Sequence, residues 1–161
     1  MILLLAMMAS VCVAQVKVNV RLNMDGKYDK MSESQLKATR GEAWSENWEN
    51  EVKPGILQDM IDAMNKREKG KTFVFGSFQE AEVDLLFSMV EMDADGETDA
   101  VMTCSFINED GSLTMAFTEA HDKNGNSTKK FTQITSRSMV SIAMEATFSL
   151  AHKIKRADKK R

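Results

Sequence analysis

Cysteine, proline and histidine are scarce in this chain of 161 residues, which contains two cysteines, one proline and two histidines. Two cysteines cannot supply the disulfide framework of a small secreted scaffold. The CxxC, HExxH, GxSxG and GxGxxG patterns are absent, as is a phosphate-binding loop of the Walker type. Linear motifs therefore give no argument for an enzyme, and we expect no cofactor and no resident metal.

The composition is otherwise that of an ordinary globular protein, with 43% hydrophobic and 28% charged residues and a net charge of −3. The charge is uneven, because the last nine residues carry six basic side chains and one acid, whereas the rest of the chain carries 15 basic and 23 acidic side chains. An acidic body repels phosphate backbones, so we expect no nucleic-acid partner.

Residues 1–14 form an apolar run with Cys12 and Ala14 at the −3 and −1 positions of a signal-peptide cleavage site. We therefore expect export to the periplasm or beyond, with no transmembrane span in the mature chain because the run is too short for one. Lipid anchoring at Cys12 is disfavoured, since Val11 stands where a lipobox has a small residue. The predicted organisation is a signal peptide over 1–14, a single domain over 15–154 and a basic tail over 155–161.

Alternation of apolar and polar residues at period two predicts the first strand, and β-branched and aromatic runs bounded by turn residues predict the others. The stretch 32–67 is rich in helix formers but is interrupted by Gly41 and by Pro54-Gly55, which predicts a helix in pieces. The fold class is α+β, with an antiparallel sheet of four to five strands and two main helices packed on one face as two layers. The predicted strands cover residues 16–22, 72–75, 83–92, 100–107 and 113–120.

The two main helices differ in the width of their apolar surface. In the first, Leu57, Met60, Ile61 and Met64 recur at i, i+3, i+4 and i+7, which gives one apolar face. The second, predicted over residues 136–154, has two apolar stripes. Its second flank would either lie against the domain or contact another subunit, so a homo-oligomer formed through the C-terminal helix is one hypothesis.

Five acids alternate around Gly96 and resemble half of a calcium loop, because Ca²⁺ prefers several carboxylate oxygens on a tight turn. Position twelve of the loop is Met102, where an EF-hand places a bidentate glutamate, and the flanking segments are predicted as strands. The alternatives are a weak cation loop and a solvated hairpin turn. The five acids are Glu91, Asp93, Asp95, Glu97 and Asp99.

Trp44 and Trp48 lie four residues apart and would share one face of a helix. They would either clamp this segment onto the domain or, if exposed, contact a glycan or a partner protein, since exposed aromatic faces are used in this way. The degree of exposure of the two indoles distinguishes these interpretations.

The order of elements, with the segments 82–86 and 99–102, turns at Gly111 and Gly125 and a closing helix, resembles small secreted proteins of unknown function from anaerobic Gram-negative bacteria. More remotely it is similar to periplasmic lipoprotein domains whose α+β fold is like that of the TolB N-terminal domain. The resemblance implies an envelope protein that binds or organises another molecule, and it brings no active site.

Three functional hypotheses remain open. The first is a non-enzymatic envelope protein that contacts another protein through a sheet edge, a helix flank or the tryptophan pair. The second is a ligand-binding module for a glycan, a small molecule or Ca²⁺. The third is a hydrolase, which would need a pocket that brings His121 or His152 close to a serine, Cys104 or a carboxylate.

Overall fold

The computed structural model describes residues 14–69, 72–92 and 98–121, together with the single positions 154, 156 and 159. These residues form an α+β fold, which confirms the predicted class. The strands are β1 (Val16–Asn23), β2 (Lys27–Tyr28), β3 (Met31–Ser32), β4 (Phe73–Gly76), β5 (Val83–Met92), β6 (Thr98–Ile107) and β7 (Leu113–His121). The helices are α1 (Glu33–Arg40), α2 (Glu42–Asn47) and α3 (Lys53–Glu68).

The sheet is mixed, with seven strands in the described part of the chain, so the predicted antiparallel sheet of four to five strands is wrong. β4, β1 and β5 lie side by side and parallel, whereas β5, β6 and β7 form an antiparallel meander. The parallel half exists because the helices between β1 and β4 act as a crossover that returns the chain to the same end of the sheet. β5 is central and pairs with β1, β2 and β6.

Side chains alternate between the two faces of the sheet. One face, called here the helix face, packs with the buried side chains of α3, among them Ile56, Met60 and Met64. The opposite face, called the second face, is more polar. The helix face carries Val18, Val20, Leu85, Phe87 and Met102, and the second face carries Asn19, Arg21, Asp84 and Leu86.

β2 continues alongside β5 where β1 ends, and sequence reasoning missed it because Asp25-Gly26 is typical of a turn. Gly26 makes the continuation feasible, since a Cβ atom at this position would lie 2.3 Å from the carbonyl oxygen of Met89. The backbone of β5 is irregular at the same point, where a bulge interrupts its register with β6 between Met89 and Glu91. The close approach of Gly26 to β5 and the bulge in β5 therefore lie next to each other.

The helical segment has one break and one irregular turn. Ser32 caps α1 in a capping box with Gln35, and Gly41, at φ 89°, separates α1 from α2. From α2 the helix runs on through a π-helical turn (Trp48–Val52) into α3, so Pro54-Gly55 does not interrupt it. Proline lacks an N–H group and its ring crowds the preceding turn, and the wider π turn just before Pro54 accommodates both.

The Gly125 turn lies outside the described residues, and so does the predicted helix over residues 136–154 except at its last position, Ile154. Ile154 is helical and belongs to the buried core. The proposed oligomer contact through that helix stays a prediction. Among the residues that the structure does describe, no helix is both long enough and apolar enough to cross a membrane.

Candidate functional site

A groove lies beside β1, at the point where its neighbour β4 ends. β4 pairs with β1 only as far as Asn19, whose partner is Gly76, whereas β1 continues to Asn23. In the described part of the chain no strand pairs with this side of β1 beyond Asn19. Residues 20–23 therefore present an open strand edge.

The hydrogen bonds of β1 show which of its backbone groups face this open side. Val16 N–H donates to the carbonyl of Thr72 (2.9 Å) on the β4 side, whereas the carbonyl of Lys17 accepts from Glu82 N–H (3.1 Å) on the β5 side. Because residues of a parallel strand alternate between their two neighbours, the even-numbered residues of β1 face β4. The carbonyl of Val20 and both backbone groups of Leu22 thus face the side that β4 leaves open.

The groove along this edge, called here the β1 groove, has a volume of about 820 Å³, which is in the range of ligand-binding sites. Its second wall is the start of α3, with Lys53, Pro54 and Leu57, and Ser77 closes it where β4 ends. It lies at the carboxyl ends of parallel strands, where open α/β sheets commonly bind their ligands. The remaining lining residues are Asn19, Val20, Arg21, Leu22, Asn23, Met24, Asp25, Glu49 and Leu86.

Arg21 is the cation of the β1 wall, and its guanidinium is fixed by Asp84. Nε donates to Oδ1 at 2.8 Å and Nη2 donates to Oδ2 at 2.7 Å, while Asn19 Nδ2 also donates to Oδ1 at 3.3 Å. The hydrogen bond with Asp84 raises the pKa of Arg21, which stays charged. The Asp84 side chain is only 7% exposed and that of Arg21 is 48% exposed. The carboxylate of the pair is therefore buried, whereas the guanidinium is accessible to solvent.

Lys53, on the helix wall, belongs to a network of two lysines and two glutamates. Its Nζ lies 2.7 Å from Glu33 Oε1 and 3.1 Å from Glu49 Oε1. Lys37 bonds to the same two carboxylates, with 2.9 Å to Glu33. Since two positive and two negative charges share the network, this wall adds no net charge to the groove.

Glu33 should make stability depend on pH in acid. Its burial alone would raise the pKa, but hydrogen bonds from Lys53, Lys37 and the Trp48 indole outweigh burial and lower the pKa from 4.5 to about 2. A folded-state pKa below the unfolded value stabilises the fold above pH 4.5, and this contribution is lost as the pH falls from 4.5 to 2. We expect Glu33→Gln to lower the free energy of unfolding at pH 7 by about 2 kcal/mol.

Urea unfolding at pH 7, 5, 4 and 3 measures this effect. Glu33→Gln should flatten the loss of stability between pH 4.5 and pH 3, because the glutamine does not titrate. The control is Glu46→Gln, which replaces an exposed glutamate of the neighbouring helix α2. Equal pH slopes in the two variants would contradict the assignment to Glu33.

The structure stacks Trp44 and Trp48 on one another, with ring centroids 5.4 Å apart and an angle of 11° between the planes. Trp48 is buried, packs edge-on against Tyr28 and donates from Nε1 to Glu33 Oε1 (3.0 Å). Trp44 is half-buried, and the guanidinium of Arg40 lies 5.6 Å from its ring. Trp48 thus clamps the helical segment onto the sheet. The exposed part of Trp44 is accessible to a ligand or a partner protein.

The acidic run is described only at its two ends. Glu91 and Asp99 are register partners at the end of the β5–β6 ladder, whereas Asp93, Asp95 and Glu97 lie outside the described residues. Within the described part, no three His, Cys, Asp or Glu side chains are placed to share a metal ion. The weak cation loop stays a prediction.

Cys104 lies mid-strand in β6 and is fully buried. Burial raises the pKa of its thiol to about 12, so the thiolate needed for nucleophilic attack does not form near neutral pH. The side chains of His121 and His152 lie outside what the structure describes. The hydrolase hypothesis stays a prediction without support from Cys104.

Sequence reasoning did not find the β1 groove. One signal was present, since the predicted strand over 72–75 is only four residues long against seven for the predicted strand over 16–22. Two such strands paired side by side leave part of the longer one uncovered. The sequence does not indicate that these two strands are neighbours in the sheet.

Comparison with known proteins adds little. No family model matches the chain, and no curated protein does. A PelC variant dodecamer from Paraburkholderia phytofirmans aligns with a TM-score of 0.36 and 12% identity over 81% of this chain and 82% of that chain. A crystal structure titled only as an uncharacterized protein aligns with a TM-score of 0.33 and 11% identity over 92% and 97%. Likenesses at this level support no statement about function.

Proposed function

We propose that this chain is a non-enzymatic protein-interaction module of the bacterial cell envelope. It binds an extended segment of a partner polypeptide in the β1 groove. The observation that carries this proposal is the early end of β4 at Gly76, which leaves the edge of β1 open beside α3. The apolar run over residues 1–14 and the resemblance to secreted Gram-negative proteins support export to the periplasm or the extracellular space.

An extended peptide fits the groove because the open edge offers the backbone donors and acceptors that strand addition uses. Leu22 supplies one N–H and one carbonyl, and the carbonyl of Val20 supplies a further acceptor. Pro54 and Leu57 of α3 line the opposite wall and offer apolar surface to every second side chain of the added strand. Main-chain hydrogen bonds would give affinity, and the wall of α3 would give selectivity.

A free inorganic anion fits less well, because the lining carries balanced charge. Arg21 and Lys53 are its cations, and Asp25 and Glu49 are its acids. Both cations are already ion-paired, Arg21 with Asp84 and Lys53 with two glutamates, so neither holds a free anion that lacks the main-chain hydrogen bonds of an added strand. The helix of the far wall continues back through the π turn, so α3 presents no free N-terminal N–H groups to the groove.

NMR titration of the ¹⁵N-labelled mature chain with the peptide acetyl-Thr-Leu-Gln-Leu-Thr-amide tests the proposal. We expect the amide signals of residues 20–23 and of Ser77 to shift at millimolar peptide. Methylation of the backbone nitrogens of the peptide should abolish the shifts, because it removes the donors of the added strand.

Ser77→Trp should also abolish these shifts, since the indole would fill the groove. The matched control is Ser34→Trp, which changes an exposed serine of α1 that does not line the groove. Shifts that persist with the methylated peptide, or in Ser77→Trp, would show that the peptide does not add to β1.

A further inference from the structure

The pleat of β1 divides a bound strand between the two faces of the sheet. Arg21 lies on the second face, whereas Val20 and Leu22 point to the helix face. A strand that adds beside β1 shares its pleat, so the side chain opposite Arg21 lies on the second face. The side chains before and after it point to the helix face.

The helix face is apolar at this place. Val20 is buried, Leu22 and Leu57 are half-buried, and Pro54 lines the groove above them. The cation of this wall, Lys53, is already paired with Glu33 and Glu49, so a polar side chain of the ligand that pointed here would lose its hydration for little compensation. The two ligand residues that flank the central one must therefore be apolar.

The second face offers a fixed guanidinium to the central residue. Asp84 uses two of the five N–H groups of Arg21, and within the described part of the chain the other three are left for a further acceptor. The two bonds to Asp84 hold the guanidinium in one orientation before a ligand arrives, which reduces the entropy that binding costs. A carboxylate matches the planar fork of N–H groups better than other acceptors do.

We infer that the β1 groove selects an extended peptide in which one acidic side chain stands between two apolar residues, with Arg21 binding the acid. This inference rests on the proposed function and names the class of ligand. Asp84 weakens the attraction between Arg21 and the acid, and it lies on β5, on the opposite side of β1 from the groove, so the acid must reach across β1 to the exposed guanidinium. The selectivity should therefore be moderate.

Three peptides that differ only in the central residue test the inference, namely acetyl-Thr-Leu-Glu-Leu-Thr-amide and its Gln and Lys counterparts. Dissociation constants come from NMR titration of the ¹⁵N-labelled mature chain at low salt. We expect the Glu peptide to bind about tenfold more tightly than the Gln peptide, and the Lys peptide to bind most weakly. The preference for Glu should shrink as salt is added.

Arg21→Gln alone would leave the buried Asp84 without its main partner and would endanger the fold. The informative variant is therefore the double substitution Arg21→Gln with Asp84→Asn, which replaces the ion pair by two amides. In it the Glu and Gln peptides should bind equally. The control Arg40→Gln removes an exposed arginine outside the groove and should keep the tenfold preference.

The outcomes separate this inference from the proposed function. Equal binding of the Glu and Gln peptides to the wild type, or a preference for Lys, would overturn the acidic selectivity and leave strand addition standing. A preference for Glu that survives in the double variant would overturn the role of Arg21. Failure of all three peptides to bind would overturn both proposals.

Discussion

Replacing Gly26 by alanine should lower the free energy of unfolding by about 3 kcal/mol. The added Cβ would lie 2.3 Å from the carbonyl oxygen of Met89 and 2.6 Å from that of Val90. Both contacts are with backbone, so no side-chain rotation relieves them. β2 would have to move away from β5, which breaks its two register pairs and disturbs the buried Tyr28.

Gly55→Ala is the matched control for this variant, since it adds the same methyl group elsewhere. Among the described residues none comes within 4 Å of a Cβ at Gly55, and the residue lies inside α3, where alanine is the better helix former. We expect it to stabilise the fold by up to about 1 kcal/mol. Urea unfolding followed by tryptophan fluorescence measures both, and comparable values for the two would show that β2 does not lie as close to β5 as described.

Truncation of Trp48 to alanine should cost about 4 kcal/mol. The indole is only 1% exposed, and its ring contacts Tyr28 on one side and Trp44 on another. Its loss leaves a cavity between the helical segment and the sheet, and it removes the indole donor from Glu33. The cavity and the lost hydrogen bond act in the same direction.

Trp44→Ala serves as the comparison, because this half-buried indole loses less contact when it is removed. We expect a cost of about 1 kcal/mol. Urea unfolding followed by far-UV circular dichroism avoids dependence on the fluorescence of the residue that is replaced. If Trp44→Ala were as costly as Trp48→Ala, the clamp would depend on the stacked pair as a unit.

Local patterns predicted most strands of this fold. The predicted strand over 83–92 has the bounds that the structure gives to β5, and β1, β6 and β7 differ from prediction by one or two residues. Period-two alternation is a property of neighbouring residues, so a short window contains it. Strand pairing is not local, and the parallel arrangement of β4 and β1 depends on a crossover of about fifty residues.

In the helical segment, by contrast, tertiary structure overrides a local sequence signal. Pro54-Gly55 predicted an interruption, but the π turn absorbs the proline and tertiary contacts of α3 keep the helix continuous. Trp44 and Trp48 were expected to share a face and do stack, because their spacing is a helical one. Arg21 and Asp84 are 63 residues apart, and no sequence pattern joins them.

The deep burial of Cys104 also determines how the folded chain responds to an oxidising environment. It is the single thiol of residues 15–161, and it is both inaccessible and protonated. Disulfide exchange needs an accessible thiolate, so the folded chain resists mixed disulfides with oxidases or with other copies of itself. Folding therefore protects this cysteine from oxidative cross-linking, and an unfolded copy would lose that protection.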